Sequence, residues 1–100
     1  MVRFDLLDSP AAAAFDALTA EALPAIVDTE PGTLVYAVHR VEDEPLSRVF
    51  YEVYADRDAH QAHEANPPTR RFLDQMQQHL RSVRAEFLET PHGKGLALSV

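Results

Sequence analysis

The run Glu52-Val-Tyr-Ala-Asp-Arg-Asp-Ala-His-Gln-Ala-His63 concentrates the side chains with the most chemical capacity in this chain. A histidine titrates near neutrality, so His63 suits removal of a proton from a phenol. Its structural alternative is a helix-terminal histidine capping backbone carbonyls near Asn66. Glu52 lies between two aromatics and, if desolvated, can act as a base; its alternative is an ion pair with Arg84 or Arg3. Tyr36, Phe50 and Tyr54 can stack on an aromatic ligand, and a phenol can hydrogen-bond to it or help remove its proton. They can equally be core aromatics of a small sheet protein. Arg40 and Arg84 could hold an anionic intermediate such as a phenolate or peroxide, or serve as salt-bridge partners. His60 stands one turn before His63 with Glu64 beside it, but two ligands without a third at defined spacing do not make a metal site, and no metal is expected.

Composition narrows the setting for this chemistry. One hundred residues make one domain. A net charge of -7 disfavours a phosphate backbone and an anionic membrane surface as partners. The chain has no cysteine, which removes disulfides, thiolate catalysis and thiolate metal sites. No apolar run approaches the roughly 20 residues that span a bilayer. Met1–Asp5 lacks the apolar core of a signal peptide, so the expected location is cytoplasmic.

The elements that must position these groups can be read from pattern. Residues 2–7 alternate as a strand. Asp8-Ser9-Pro10 is a helix start, and apolar spacing predicts a helix from Pro10 to about Thr29, kinked or broken at Pro24. After the Pro31-Gly32 turn, residues 33–41 and 47–54 are β-rich and predict a hairpin around the acidic turn 42–45. Asp56 can cap a helix over 57–65. Asn66-Pro67-Pro68 interrupts it, and a helix resumes near Thr69 to about His79. Residues 82–89 read as the last strand. A domain over 1–90 and a loose tail over 91–100 follow.

The order β-α-β-β-α-β is the ferredoxin-like α+β arrangement, an antiparallel sheet with helices on one side. Strand parity groups Val2, Phe4 and Leu6 with Val35, Ala37, His39, Val49, Tyr51, Val53, Val83, Ala85 and Phe87, an apolar set expected under the helices. The opposite set joins Arg3, Asp5, Leu7, Tyr36, Val38, Arg40, Phe50, Glu52, Tyr54, Arg84, Glu86 and Leu88. A half-buried face enclosing a polar cavity accounts for that mixture. Two such sheets packed face to face would make a homodimeric barrel.

Two blocks carry a family resemblance: Glu30-Pro31-Gly32…Tyr36, and Glu52-x-Tyr54-x-Asp56-x-x-Ala59-x-x-x-His63. Over roughly residues 2–88 the chain resembles the antibiotic biosynthesis monooxygenase (ABM) family. The resemblance implies a dimeric α+β barrel with a pocket in each subunit between sheet and helices. Some members of that family act as cofactor-free oxygenases on phenolic or quinol-type aromatics, others degrade haem, and one branch isomerises a small phosphorylated signal. Pro67-Pro68 stands where many relatives have a Pro-His pair. The places of the haem branch's histidine and asparagine fall near Leu73 and near Arg3 or Asp5, and Tyr54 stands where that branch has tryptophan. A haem role is therefore disfavoured.

Together these readings lead to a cofactor-free monooxygenase of a small aromatic or quinol-type substrate. His63, Tyr54 and Glu52 would be its catalytic groups, and Tyr36, Phe50, Arg40 and Arg84 its substrate-binding groups. The alternatives are an isomerase in the same pocket or a non-catalytic dimer that binds a small ligand.

Overall fold

The computed structural model describes residues 1–95. The elements run β1 (Val2–Leu6), α1 (Ser9–Thr29), β2 (Thr33–Val41), β3 (Glu44–Tyr54), α2 (Arg57–Ala65), α3 (Pro67–Met76), a 3-10 turn (Gln77–His79) and β4 (Leu80–Ala85). The four strands form one antiparallel sheet in the order β2-β3-β1-β4. With the helices stacked on one face, this is the ferredoxin-like α+β fold.

Local chemistry sets most boundaries. Asp8 caps α1 by accepting the Ala11 N–H at 2.9 Å, with proline in the first turn. The helix continues through Pro24 to Thr29 rather than breaking there. By length and apolar content α1 could cross a membrane. In this fold it lies on the sheet, with Ala11, Ala12, Phe15, Thr19, Ala22 and Ile26 buried. The β2–β3 connection closes on Glu42-Asp43, and Asp43 takes a left-handed φ of 61°, a conformation that aspartate tolerates better than most residues. The last strand starts and ends earlier than the pattern over 82–89 suggested, at Leu80 and Ala85. Of the tail expected over 91–100, residues 96–100 lie outside the described residues.

The core is an aromatic cluster. Phe4, Phe15, Phe50 and Phe72 are all buried. Their ring centroids lie 4.7 Å apart for Phe4–Phe50, 5.0 Å for Phe4–Phe15 and 5.4 Å for Phe15–Phe72. These tilted and edge-on contacts suit the ring quadrupoles.

This cluster corrects the face assignment drawn from parity. Val2 pairs with Phe50 and Phe4 with Arg48, so β1 places Val2, Phe4 and Leu6 on the face of Phe50, Glu52 and Tyr54. In turn Val38 pairs with Phe50 and Tyr36 with Glu52. The mixed set on the hairpin therefore lies beneath the helices. Arg3, Asp5 and Arg84 share the opposite face with Val49 and Ser47. There Ser47 and Ser82 donate hydrogen bonds to Asp5, and Arg3 bonds Glu44 and Ser47. Period-two alternation fixes which residues of one strand share a face, but not how neighbouring strands are registered, and a slip of one residue exchanges the faces.

Beneath the helices Arg48 is only 2% exposed. Its Nε and Nη2 donate to the two Asp16 carboxylate oxygens at 2.8 and 2.9 Å, and its Nη1 donates to the Pro45 and Ser47 carbonyls. The guanidinium is thus fully engaged by α1 and by its own strand, as a buried charge must be.

Candidate functional site

The site forms where the end of α1, the start of β2, the end of β3 and the helix α2 converge. Asp56 follows directly after β3 and caps α2 by accepting the Ala59 N–H at 2.8 Å. Gly32 lets this helix approach the turn before β2. A Cβ at Gly32 would stand 2.6 Å from the Ala59 Cβ, closer than two carbons can sit. The Gly32 carbonyl also accepts the Ala55 N–H at 2.8 Å. Glycine and alanine in the two family-like blocks are thus one close contact between two chain segments.

That approach brings Glu30 onto His63. The His63 Nδ1 and Glu30 Oε1 are 2.7 Å apart, and each side chain is 6% exposed. The remaining bonds to Glu30 come from Thr33 Oγ1 at 2.8 Å and Asn66 Nδ2 at 2.6 Å. Burial pushes the Glu30 carboxyl upward, but the donors Asn66, His63 and Thr33 together outweigh it and hold it below its ordinary value. Glu30 is therefore an anion at neutral pH, and an anion requires its neighbour to donate. A proton therefore sits on Nδ1 in either charge state of the ring, and Nε2 is the nitrogen through which the ring can gain or give a proton.

The free edge of the imidazole looks toward the hairpin. His63 Nε2 is 3.8 Å from Glu52 Oε1, and the Tyr54 hydroxyl donates a short hydrogen bond to that same oxygen. The Tyr36 and Tyr54 rings lie 5.2 and 5.5 Å from the imidazole, centre to centre. His60 packs on Tyr54 at 4.9 Å and pairs with Glu64 at 3.0 Å. Burial first, and then the Glu52 carboxylate, push the Tyr54 phenol well above its ordinary value; burial does the same for Tyr36. Both phenols stay protonated at neutral pH. In that state they are hydrogen-bond donors toward the cleft.

These groups line an open cleft of about 1420 Å³. Tyr36, Phe50, Phe72, Tyr54, Glu52 and His63 are among its walls. Its lining mixes these aromatics with polar groups, of which Glu52, Tyr54 and Tyr36 lie against His63. Among the described residues, no three histidine, aspartate or glutamate side chains come together in a way that could hold a metal ion.

Thr69 also lines the cleft, from the first turn of α3. It is 5% exposed, and its hydroxyl has no hydrogen-bond partner among the described residues. The other helical threonines bond backward, Thr19 to the Phe15 carbonyl and Thr29 to the Ala25 carbonyl. Thr69 follows a break instead, since Asn66 has an extended ψ of 127°. The carbonyl four residues back is that of Ala65, at the end of α2, and the Asn66 carbonyl accepts the Arg70 N–H at 3.0 Å. A buried unpaired hydroxyl costs about 1–3 kcal/mol, so its presence in a cleft wall is informative.

His63, Glu52, Tyr54, Tyr36 and Phe50 thus come together in one cleft. The two expected arginines do not join them. Arg40 bonds Asp16 at 3.0 Å with a largely exposed side chain. Arg84 bonds Glu86 at 2.6 Å on the face away from the helices. Neither lines the cleft; the arginine that does is Arg57, at the start of α2. Glu52 pairs with neither Arg3 nor Arg84. Sequence reading missed Glu30, Thr69 and Arg57 as site groups. For Glu30 a signal was present, as it opens the block that ends in Tyr36.

A ferredoxin-like sheet with an acid-anchored histidine in an aromatic cleft under its helices defines a class of small α+β proteins. The model of the antibiotic biosynthesis monooxygenase family matches residues 1–75, and the chain belongs to that family. Among solved structures, it is similar to a candidate antibiotic biosynthesis monooxygenase from Bacteroides thetaiotaomicron VPI-5482 (21% identity, TM-score 0.82, covering 98% of this chain and 92% of that one). A candidate antibiotic biosynthesis monooxygenase from Caulobacter crescentus CB15 gives 26% identity and a TM-score of 0.78, over 91% and 88% of the two chains. A candidate monooxygenase from Lactobacillus acidophilus NCFM gives 20% identity and a TM-score of 0.77; 83% of this chain is covered, but only 39% of that longer one. No curated protein matches. Family membership and these neighbours support a monooxygenase in general terms.

Proposed function

We propose that the protein oxygenates a small quinol-type aromatic, using electrons of the substrate itself and no metal or flavin of its own. The observation that supports this most is the Glu30–His63 pair, in which Glu30 holds Nδ1 and leaves the Nε2 edge of the imidazole to an aromatic cleft. Nε2 takes a proton from a ring hydroxyl of the substrate. The resulting imidazolium is compensated by Glu30 at 2.7 Å and Glu52 at 3.8 Å.

The electron-rich phenolate then reacts with O2. A carbon–oxygen bond forms to one oxygen atom, and cleavage of the O–O bond releases the other as water. A quinol with an open ring position and one O2 give the quinone with one added hydroxyl and one H2O. The substrate supplies all four electrons. Tyr36, Phe50 and Phe72 provide apolar ring contacts and limit water around the anion.

The homodimer belongs to the same proposal. The sheet face away from the helices carries Val35, Ala37, Val49 and Tyr51, all half-buried in the single chain, and a second copy would cover it.

The test is oxygen consumption by metal-stripped protein on 1,4-dihydroxynaphthalene and related quinols. Uptake above the autoxidation blank, lost in His63→Ala, supports the reading. Absence of uptake on every quinol overturns it, and His63-dependent proton exchange without uptake would point to an isomerase.

A further inference from the structure

We propose that the Thr69 hydroxyl is a ligand-binding group, the second polar anchor of the cleft, which takes an oxygen of the substrate other than the one facing His63. This rests on the quinol reading, because it assigns the two oxygens of the ring to the two ends of the site.

Three observations meet at Thr69. It lines the same cleft as His63, Tyr36 and Phe50. Its side chain is 5% exposed, and its oxygen has no partner among the described residues. Its position explains why: Thr19 and Thr29 use the carbonyl four residues back, whereas the extended Asn66 removes that acceptor from the first turn of α3. A fold that needed only shape at this position could carry valine, which has the same outline and no polar atom to satisfy. A threonine on a helix divides between two χ1 wells, so its oxygen can turn to a ligand without backbone movement.

The neighbouring side chains decide what kind of ligand this is. Phe72 and Met76 follow Thr69 along α3 and are buried, and Phe50 faces them from the sheet. The buried residues that share α3 with Thr69, and the ring opposite them, are thus apolar and aromatic. A planar ring fits them, with one oxygen near Thr69 and another near His63. A hydroxyl both donates and accepts, so Thr69 can hold the substrate's second hydroxyl and also the carbonyl that replaces it in the quinone. A residue that bonds the ring in both oxidation states keeps it registered while the His63 end undergoes proton transfer.

The experiment is an anaerobic binding comparison of 1,4-dihydroxynaphthalene with 1-naphthol, on wild type, Thr69→Val and Thr69→Ser, with thermal unfolding of each protein. Thr69→Val is expected to weaken the dihydroxy compound roughly threefold to tenfold, the worth of one neutral hydrogen bond. It should leave 1-naphthol within about twofold and leave Tm unchanged or raised, since an unpaired polar atom is removed. Thr69→Ser should restore the preference. Binding of both compounds by wild type with equal effects in Thr69→Val overturns the assignment of Thr69 alone. A lower Tm in Thr69→Val means that the hydroxyl serves the fold, and also overturns it. Binding of neither compound by wild type overturns the inference together with the substrate class on which it rests.

Discussion

Glu30 and His63 stand 33 residues apart in the chain and 2.7 Å apart in space, with both side chains almost wholly out of water. The carboxylate is the last residue of the α1 region, and the imidazole lies near the end of α2. Their bond therefore ties a helix terminus to a helix face and chooses which nitrogen of the ring stays free. Replacing Glu30 by Gln keeps the shape but removes the charge that selects the tautomer. Expected is a fall in kcat of roughly tenfold to hundredfold with little change in KM, against a fall of about 100-fold or more in His63→Ala. Steady-state oxygen uptake on a quinol measures both.

Gly32→Ala tests the contact that makes this pair possible. The new Cβ would meet Ala59 at 2.6 Å, forcing α2 outward and lengthening the Glu30–His63 bond. Overpacking of this kind costs about 1–3 kcal/mol, and activity should fall with stability. Ala59→Gly added to Gly32→Ala should recover both in part, which a merely unfavourable turn residue would not do. Urea unfolding of the two single variants and the double variant gives the coupling directly.

Asp16→Asn should be among the most destabilising single substitutions on α1. It leaves Arg48 buried with its two backbone carbonyls but without a counter-charge. Breaking a fully buried pair costs about 3–5 kcal/mol; because the Asp16 side chain is 31% exposed, roughly 2–3 kcal/mol is expected after allowance for screening. Asp16 lies outside the cleft lining, so kcat of the folded fraction should be near that of wild type.

The pH dependence of stability has two limbs with opposite signs. Glu30 is held below its ordinary value of 4.5 because its three donors outweigh burial, and Asp16 is held below 3.8, chiefly by Arg48. Lowered carboxyls bind fewer protons folded than unfolded. Their contribution is complete above about pH 4.5 and is lost as pH falls through the folded values. Tyr36 and Tyr54 are raised by burial, and Tyr54 also by Glu52. Their contribution is complete below the ordinary value of 10 and is lost as pH rises above it. Thermal unfolding across pH should show a plateau between these limbs. In spectrophotometric titration, Tyr36 and Tyr54 should resist ionisation until alkaline unfolding; Tyr54→Phe should remove one such phenol.

Much of the fold was legible because its signals are local. Asp8 and Asp56 announced their helices as capping side chains, and β-branched and aromatic runs announced β2 and β3. His63, Glu52, Tyr54, Tyr36 and Phe50 were legible as cleft groups because they fall on two adjacent strands and one helix. Register was not legible. The pairing of Val2 with Phe50 depends on which residue completes the aromatic cluster in three dimensions, and parity is silent on that. Arg40 and Arg84 stay out of the cleft for a different reason, carboxylate partners that parity does not show: Asp16 on α1 takes Arg40, and Glu86 takes Arg84. Glu30 and Thr69 were passed over because their significance lies in what they touch, or fail to touch.

The break at Asn66 has a kinetic consequence. A single continuous helix turns about 100° per residue, so His63 and Thr69, six residues apart, would point in divergent directions. Splitting the segment lets both line one cleft, but leaves two helices of nine and ten residues. Helices that short are marginal in isolation and persist only while docked. The α2–α3 segment should therefore open as a unit well before the sheet does, and its amide hydrogens should exchange early. Occupancy of the cleft clamps it from both halves, so slowed exchange from Arg57 to Met76 would report ligand binding even for a compound that is never turned over.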